Sequence, residues 1–176
     1  MFLDKISVGK NPPEEFNVII EIPMNSNAPV KYEFDKDSGA VFVDRIMQVA
    51  MFYPANYGFI PHTLSGDGDP VDVLVAADMP FIPGSVVKCR PIGVFMMEDE
   101  SGMDEKILAV PVEKVDPSWS HVKSIEDVNP KLLDRIEHFF EHYKKMDSGK
   151  WVKVVGWKDA DIAKKLISEG VERNGK

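Results

Sequence analysis

Ser85–Val112 reads SVVKCRPIGVFMMEDESGMDEKILAVPV. Its two flanks, SVVKCRPIGVFMM and KILAVPV, are rich in Val, Ile and Phe, residues that suit a pleated, half-buried surface. Between them MEDESGMDEK (97–106) is charged and carries Gly102, which predicts a long hairpin loop joining two strands. The same signal recurs outward from this stretch. FNVIIEIP (16–23), VKYEF (30–34), AVFVDRI (40–46) and VDVLV (71–75) are short apolar runs punctuated by Pro, Gly and Asn. In VKYEF, Tyr32 and Phe34 point one way and Lys31 and Glu33 the other; Val71, Val73 and Val75 share a face, with Asp72 opposite.

Helical spacing begins only after residue 128. Asn129-Pro130 is an N-cap followed by Pro at the first helical position. Leu132, Leu133, Ile136, Phe139, Phe140 and Tyr143 then recur with the helical period, and Gly149 lies beyond the end. WVKVVGW (151–157) is expected to be a short extended piece. Asp159 is placed to cap a last helix with Ile162, Leu166 and Ile167 on its buried side. Strands first and helices afterwards predict a mainly β fold, a compact barrel or meander with helices packed outside.

Composition narrows the class. The 176 residues, 44% apolar and 28% charged, are expected to form a single domain over 1–176, without repeats or linkers. MFLDKISVGKNPPEE lacks the apolar run of a signal peptide, and no stretch approaches the ~18 apolar residues of a membrane span. A single cysteine excludes an internal disulfide and makes the reducing cytoplasm the expected location. Cys89 reads as a small hydrophobe on an apolar strand. The net charge of −8 argues against a general nucleic-acid binder, yet leaves a small phosphate ligand open, because bound metal reverses the local sign.

The acids cluster in Gly66-Asp67-Gly68-Asp69-Pro70-Val71-Asp72, at a turn leading into VDVLV. Carboxylates so close repel unless cations compensate them, and hard oxygen donors suit Mg²⁺, Mn²⁺ or Ca²⁺. An EF-hand loop fails, since Val71 stands where an oxygen ligand is wanted and Asp72 where glycine is. A solvated acidic turn is the alternative reading of these seven residues alone. Further along the chain, Asp99 and Asp104 form a second acidic set with Lys106 close behind. Lys31 and Glu33 share a strand face, Glu21 and Arg45 sit on neighbouring strands, and Tyr53 and Tyr57 flank the irregular FYPANYGFIP (52–61).

These segments resemble the family I soluble inorganic pyrophosphatases of the short bacterial type. DGDPVD matches the family's Asp-x-Asp-Pro-x-Asp signature. VIIEIP, VKYEFD, FVDRIM, MFYPANYGFIPHT, RPIGV, HFFEHYK and KWVKVVGW follow in the family's order over roughly 16 to 158. The resemblance implies a five-stranded OB-like β-barrel with flanking α-helices. The implied activity is magnesium-dependent hydrolysis of pyrophosphate to two orthophosphates, with Mn²⁺ or other divalent ions as alternatives to Mg²⁺. It implies that Asp67, Asp72, Asp99 and Asp104 are metal ligands, with Glu21 and Glu33 holding metals partly through water. It makes Asp69 the acceptor of the attacking water's proton. Lys31, Arg45, Tyr57, Lys106, Tyr143 and Lys144 would grip phosphoryl oxygens, and Tyr53 would support the acids. Within the motif, sequence alone does not separate the roles of Asp67, Asp69 and Asp72.

A charge count supports that site. Its seven acids oppose four fixed cations and leave −3. Pyrophosphate at roughly −4 brings the total to about −7, so about three or four divalent cations restore neutrality. With no Ser, Cys or His in a nucleophile motif, direct attack by water is expected. His138 and His142, four apart on the main helix, have the spacing of a metal pair. They fit equally a helix surface or subunit contact, which the resemblance favours because bacterial members assemble as homohexamers through helix contacts. Three rivals remain. An OB-like nucleic-acid binder is opposed by the charge, and a plain Ca²⁺/Mg²⁺-binding domain has no use for the cations beside the acids. A hydrolase of another phosphoanhydride or phosphoester is opposed least.

Overall fold

The computed structural model describes residues 3–26, 29–35 and 37–175. Its strands are β1 (Phe16–Ile22), β2 (Val30–Phe34), β3 (Val41–Ile46), β4 (Asn56–Phe59), β5 (Asp72–Val75), β6 (Val86–Asp99), β7 (Gly102–Pro111) and β8 (Val152–Lys158). Its two α-helices are α1 (Pro130–His142) and α2 (Ala160–Asn174). Short 3-10 turns complete the regular structure.

Five strands close on themselves. The order β1-β4-β5-β7-β6 returns to its start because β6 also pairs with β1, matching Phe16 with Cys89 and Ile19 with Val86. This ring is the expected OB-like barrel, and closure removes the free edges of an open sheet. β8 adds to β6 outside the ring, while β2 and β3 form a separate two-stranded ribbon.

The alternation of the strands sends their side chains to two cores. Val71, Val73 and Val75 join Phe16, Val18, Ile20, Ile107 and Ala109 in a cluster completed by Ala163 and Ile167 of α2. Leu74, Phe95, Met97, Leu108 and Val110 face the other way, against Ile136, Phe139 and Phe140 of α1. Both helices are capped as their sequences require. Asn129 accepts from the Lys131 amide at 3.0 Å, and Asp159 from the Ile162 amide at 3.0 Å.

Three expectations are corrected. Residues 97–106 are not a long loop: β6 runs to Asp99 and β7 starts at Gly102, leaving Glu100 and Ser101 as the turn. The low strand propensity of these acids is overridden because β6 is laddered on both sides, Met97 pairing with Asp104 and with Val154. The irregular segment 52–61 contains β4, a full member of the ring. On α2 the buried face is Ala163, Ile167 and Gly170, with Leu166 partly covered and Ile162 exposed. The helix lies so close to the segment leading into β5 that a Cβ at Gly170 would sit 2.7 Å from Val71 Cγ2.

Candidate active site

The acid motif folds as a tight turn before β5. The Asp67 carboxylate accepts from the Asp69 amide at 3.0 Å, an Asx turn, and Gly68 holds φ +95°. The Ser65 amide donates to the Asp69 carbonyl at 2.6 Å, closing the turn. Asp67 and Asp69 are exposed at its tip, while Asp72 is the first, half-buried residue of β5.

Strand register brings the second acidic set alongside. β5 and β7 are parallel and match Asp72 with Lys106. Asp104 and Lys106, two apart, share one face of β7. The Lys106 ammonium, 5% exposed, is therefore ion-paired with Asp72 and, at 2.5 Å, with Asp104. Burial alone would depress its pKa, but Asp72 and then Asp104 hold it well above the ordinary lysine value. Asp104 is raised by burial, with Lys106 opposing the shift. At the hairpin tip Asp99 pairs with Lys144 at 2.5 Å and accepts from the Ser101 amide at 2.8 Å.

Two irregularities aim further groups. In β1, Ile20 is opposite Gly58 and Ile22 opposite Tyr57, so Glu21 is the extra residue of a bulge. Glu21 is 8% exposed and accepts from the Phe34 amide at 2.9 Å. Burial pushes its carboxyl up to about 8, with the Phe34 hydrogen bond opposing and Asp72 adding to the rise. In the ribbon the register slips at Asp44, so that Lys31 is opposite Arg45 and Tyr32 opposite Val43. Lys31 pairs with Glu33 and lies 3.4 Å from Asp44.

The wall is aromatic. Tyr53 packs on Tyr57 with centroids 5.2 Å apart, and on Phe139 at 4.6 Å. Tyr143 caps α1 and stacks on Phe139 at 5.4 Å. Burial raises the phenol pKa of Tyr53, Tyr57 and Tyr143, so all three stay protonated and able to donate. Lys106 lies 5.7 Å above the Tyr57 ring and Lys144 5.4 Å above Tyr143.

All fourteen candidate side chains line one cleft of about 690 Å³. Sequence reading missed four of its charged groups: Asp35, Asp37, Glu100 and Lys150. Asp35 and Asp37 continue VKYEF, and Glu100 adjoins Asp99, so local charge density was the available signal. Lys150 reaches Glu100 at 2.5 Å across 50 residues of sequence, and nothing local announces that pairing. With these four included, the described lining residues carry ten carboxyl groups against five fixed cations, a formal excess of five negative charges that falls to four while Glu21 keeps its proton. The cleft's donors are oxygen, with no histidine or cysteine among the described lining residues. A crowded, oxygen-only set with a buried carboxyl held near 8 fits hard divalent cations. Cys89 is fully buried in the α2-side core, where burial raises its thiol pKa. His138 and His142 lie on α1, outside the cleft lining.

The chain matches the inorganic pyrophosphatase family over residues 18–174. The chain belongs to this family. It is 64% identical to the inorganic pyrophosphatase of Rickettsia bellii over 173 residues, covering 98% of each chain. Among solved structures, the inorganic pyrophosphatase of Helicobacter pylori superposes with a TM-score of 0.93 at 48% identity, covering 98% of this chain and 99% of that one. That of Thermus thermophilus superposes with a TM-score of 0.92 at 42% identity, covering 99% of each. The DGDPVD turn and the cleft it borders thus belong to an inorganic pyrophosphatase fold.

Proposed function

We propose that this cleft binds pyrophosphate with divalent cations, Mg²⁺ foremost, and hydrolyses it to two orthophosphates, the whole chain acting as one catalytic unit. The convergence of fourteen separately named side chains, from the β1 bulge to the end of α1, into one cleft carries the reading. Bound cations would neutralise substrate charge and acidify the attacking water. Asp67, Asp72, Asp99 and Asp104 would hold them, with Glu21 and Glu33 contributing in part through water.

The chain's own groups divide the remaining work. Lys31, Arg45, Lys106 and Lys144 bring fixed positive charge to the phosphoryl oxygens, and Tyr57 and Tyr143 donate hydrogen bonds. Asp69, exposed at the tip of the acid turn, takes the proton from water as its oxygen bonds to phosphorus. The bridging P–O bond breaks, and the departing phosphate leaves with its charge spread over the lysines. Tyr53, wedged between Tyr57 and Phe139, fixes the wall behind the acids. Ser101 borders the cleft, but no histidine among the described lining residues stands ready to activate it, which supports direct attack by water.

Among the described residues no helix is long and apolar enough to cross a membrane. The cytoplasm as location and a homohexamer as assembly complete the proposal, and sedimentation at micromolar concentration tests the latter: a monomer would overturn it. For the activity, purified protein should release phosphate rapidly from pyrophosphate with Mg²⁺ and lose that release in excess chelator. Folded protein that releases none with Mg²⁺ or Mn²⁺ would overturn the reading in favour of a binding module.

A further inference from the structure

We propose that Thr63 and Arg173, neither of which lines the cleft, are positioning residues that aim the acid turn and with it Asp67, Asp69 and Asp72. The proposal rests on the reading of that turn as part of a metal-dependent pyrophosphatase site. The tip of the turn has little to lean on. Residues 66–69 are exposed, and a Cβ at Gly66 or Gly68 would meet nothing beyond its chain neighbours within 4 Å. A cavity of about 230 Å³, with Ser65, Asp67, Leu166 and Arg173 in its lining, opens between the turn and α2. The direction of the tip is therefore set at its two roots, Thr63-Leu64 and Val71.

One side chain joins the roots. The Thr63 hydroxyl, on a residue 3% exposed, donates to the Ile60 carbonyl at 2.6 Å and accepts from the Val71 amide at 2.9 Å. The Ile60 amide donates to the Val71 carbonyl at 3.0 Å, so hydroxyl and backbone together clamp the residue just before Asp72. Helix α2 holds the other root. The Leu64 amide donates to the Gly170 carbonyl at 2.9 Å, and Arg173 donates to the Leu64 carbonyl at 2.9 Å. Glu169, one helical turn earlier, accepts from the same guanidinium at 3.1 Å and fixes its direction. Gly170 lets the helix come this near: a Cβ there would sit 3.4 Å from Thr63 Cβ. Removing the hydroxyl leaves a buried amide unpaired, and removing the guanidinium releases Leu64, so either change lets the tip pivot. A shift of about 1 Å at a reacting group costs about 10²-fold in rate, and partners behind metal ligands carry about 10–100-fold in metal affinity or activity.

The test compares Thr63→Val and Arg173→Met with Thr63→Ser and Arg173→Lys in the full protein, well below each unfolding midpoint. Turnover of pyrophosphate per folded molecule should fall about 10–100-fold in the first pair, with more Mg²⁺ needed for half-maximal rate and KM at saturating Mg²⁺ close to wild type. The second pair keeps a donor in each place and should recover most of the loss. Unchanged turnover and Mg²⁺ dependence, with stability alone lowered, would overturn the proposal, as would Thr63→Ser no better than Thr63→Val. Arg173 is partly exposed, so its variants carry the test if Thr63→Val does not fold. Amide exchange at Ser65, which bonds the Asp69 carbonyl and touches neither substituted side chain, reads the turn without turnover. It should quicken in Thr63→Val and Arg173→Met while the β5–β7 amides hold; unchanged Ser65 exchange refutes the mount. Wild type that releases no phosphate would instead defeat the pyrophosphatase reading, and the Ser65 exchange would still decide whether these residues aim the turn.

Discussion

Lys106→Met offers the sharpest test of how the cleft is held together. Lys106 is 5% exposed and stands between Asp72 and Asp104. Methionine keeps much of its unbranched bulk but removes the ammonium, leaving two carboxylates facing each other with no charge between them. Removing one partner of a buried ion pair typically costs about 3–5 kcal/mol, because the other charge stays desolvated. For a chain of this size each kcal/mol moves the midpoint by about 2–4 °C, so the variant in chelator should melt about 6–20 °C lower. Millimolar Mg²⁺ should restore most of that. Cations held by Asp72 and Asp104 take over the neutralisation, and the residual loss falls to the ~1.5 kcal/mol of a volume-conserving swap. Urea and thermal unfolding, each run in chelator and in Mg²⁺, read both quantities. An equal loss in the two conditions, or none in chelator, would refute the claim that these carboxylates are arranged for cations.

Three further predictions follow from named contacts. In chelator, Glu21 keeps a proton in the folded chain up to about pH 8 that the unfolded chain releases near 4.5. Stability should therefore fall as pH rises through that window, and Glu21→Gln or added Mg²⁺ should flatten the profile; a slope unchanged by either would count against it. Gly58→Ala would set a Cβ 2.0 Å from the Ile19 carbonyl oxygen, prising β4 from β1 beside the bulge. A loss of about 3 kcal/mol or more is expected, and an unmoved unfolding midpoint would contradict it. Cys89, fully buried with its thiol pKa raised, should resist iodoacetamide in the native protein and react once urea unfolds it. Labelling at equal rates in both states would show that its strand opens.

Much of the site was legible because its residues sit at positions with a local signal. The acids of DGDPVD crowd a Gly-Pro turn, Lys106 follows Asp104 on one strand face, and Tyr143 and Lys144 end a helix whose apolar period is plain. What sequence did not reveal depends on pairing between distant strands. Asp72 meets Lys106 because β5 and β7 run parallel in a particular register, and Glu21 turns inward because β1 carries one residue more than β4 opposite it. The barrel was legible as a class but not strand by strand. β4 hides within an aromatic, Pro- and Asn-broken segment, and it is a strand because Gly58 admits the β1 backbone at very close range. Conversely, β2 and β3 read as strands no different from the others, yet they form a ribbon outside the ring, exposing Phe42, Val43 and Ile46. The acidic tip of the β6–β7 hairpin read as loop because composition does not register the two neighbouring strands that hold β6 extended.

The most direct test of the central claim is the turnover of Asp69→Asn on pyrophosphate, with metal binding and unfolding midpoint measured on the same preparation. Asp69 is exposed on a turn closed by backbone bonds and the Asp67 side chain, so the amide should leave the fold intact. Loss of a general base predicts a kcat lower by about 10²–10⁴, with midpoint and metal binding close to wild type. Near-full turnover across the pH range would contradict the account and require another group to take the water's proton.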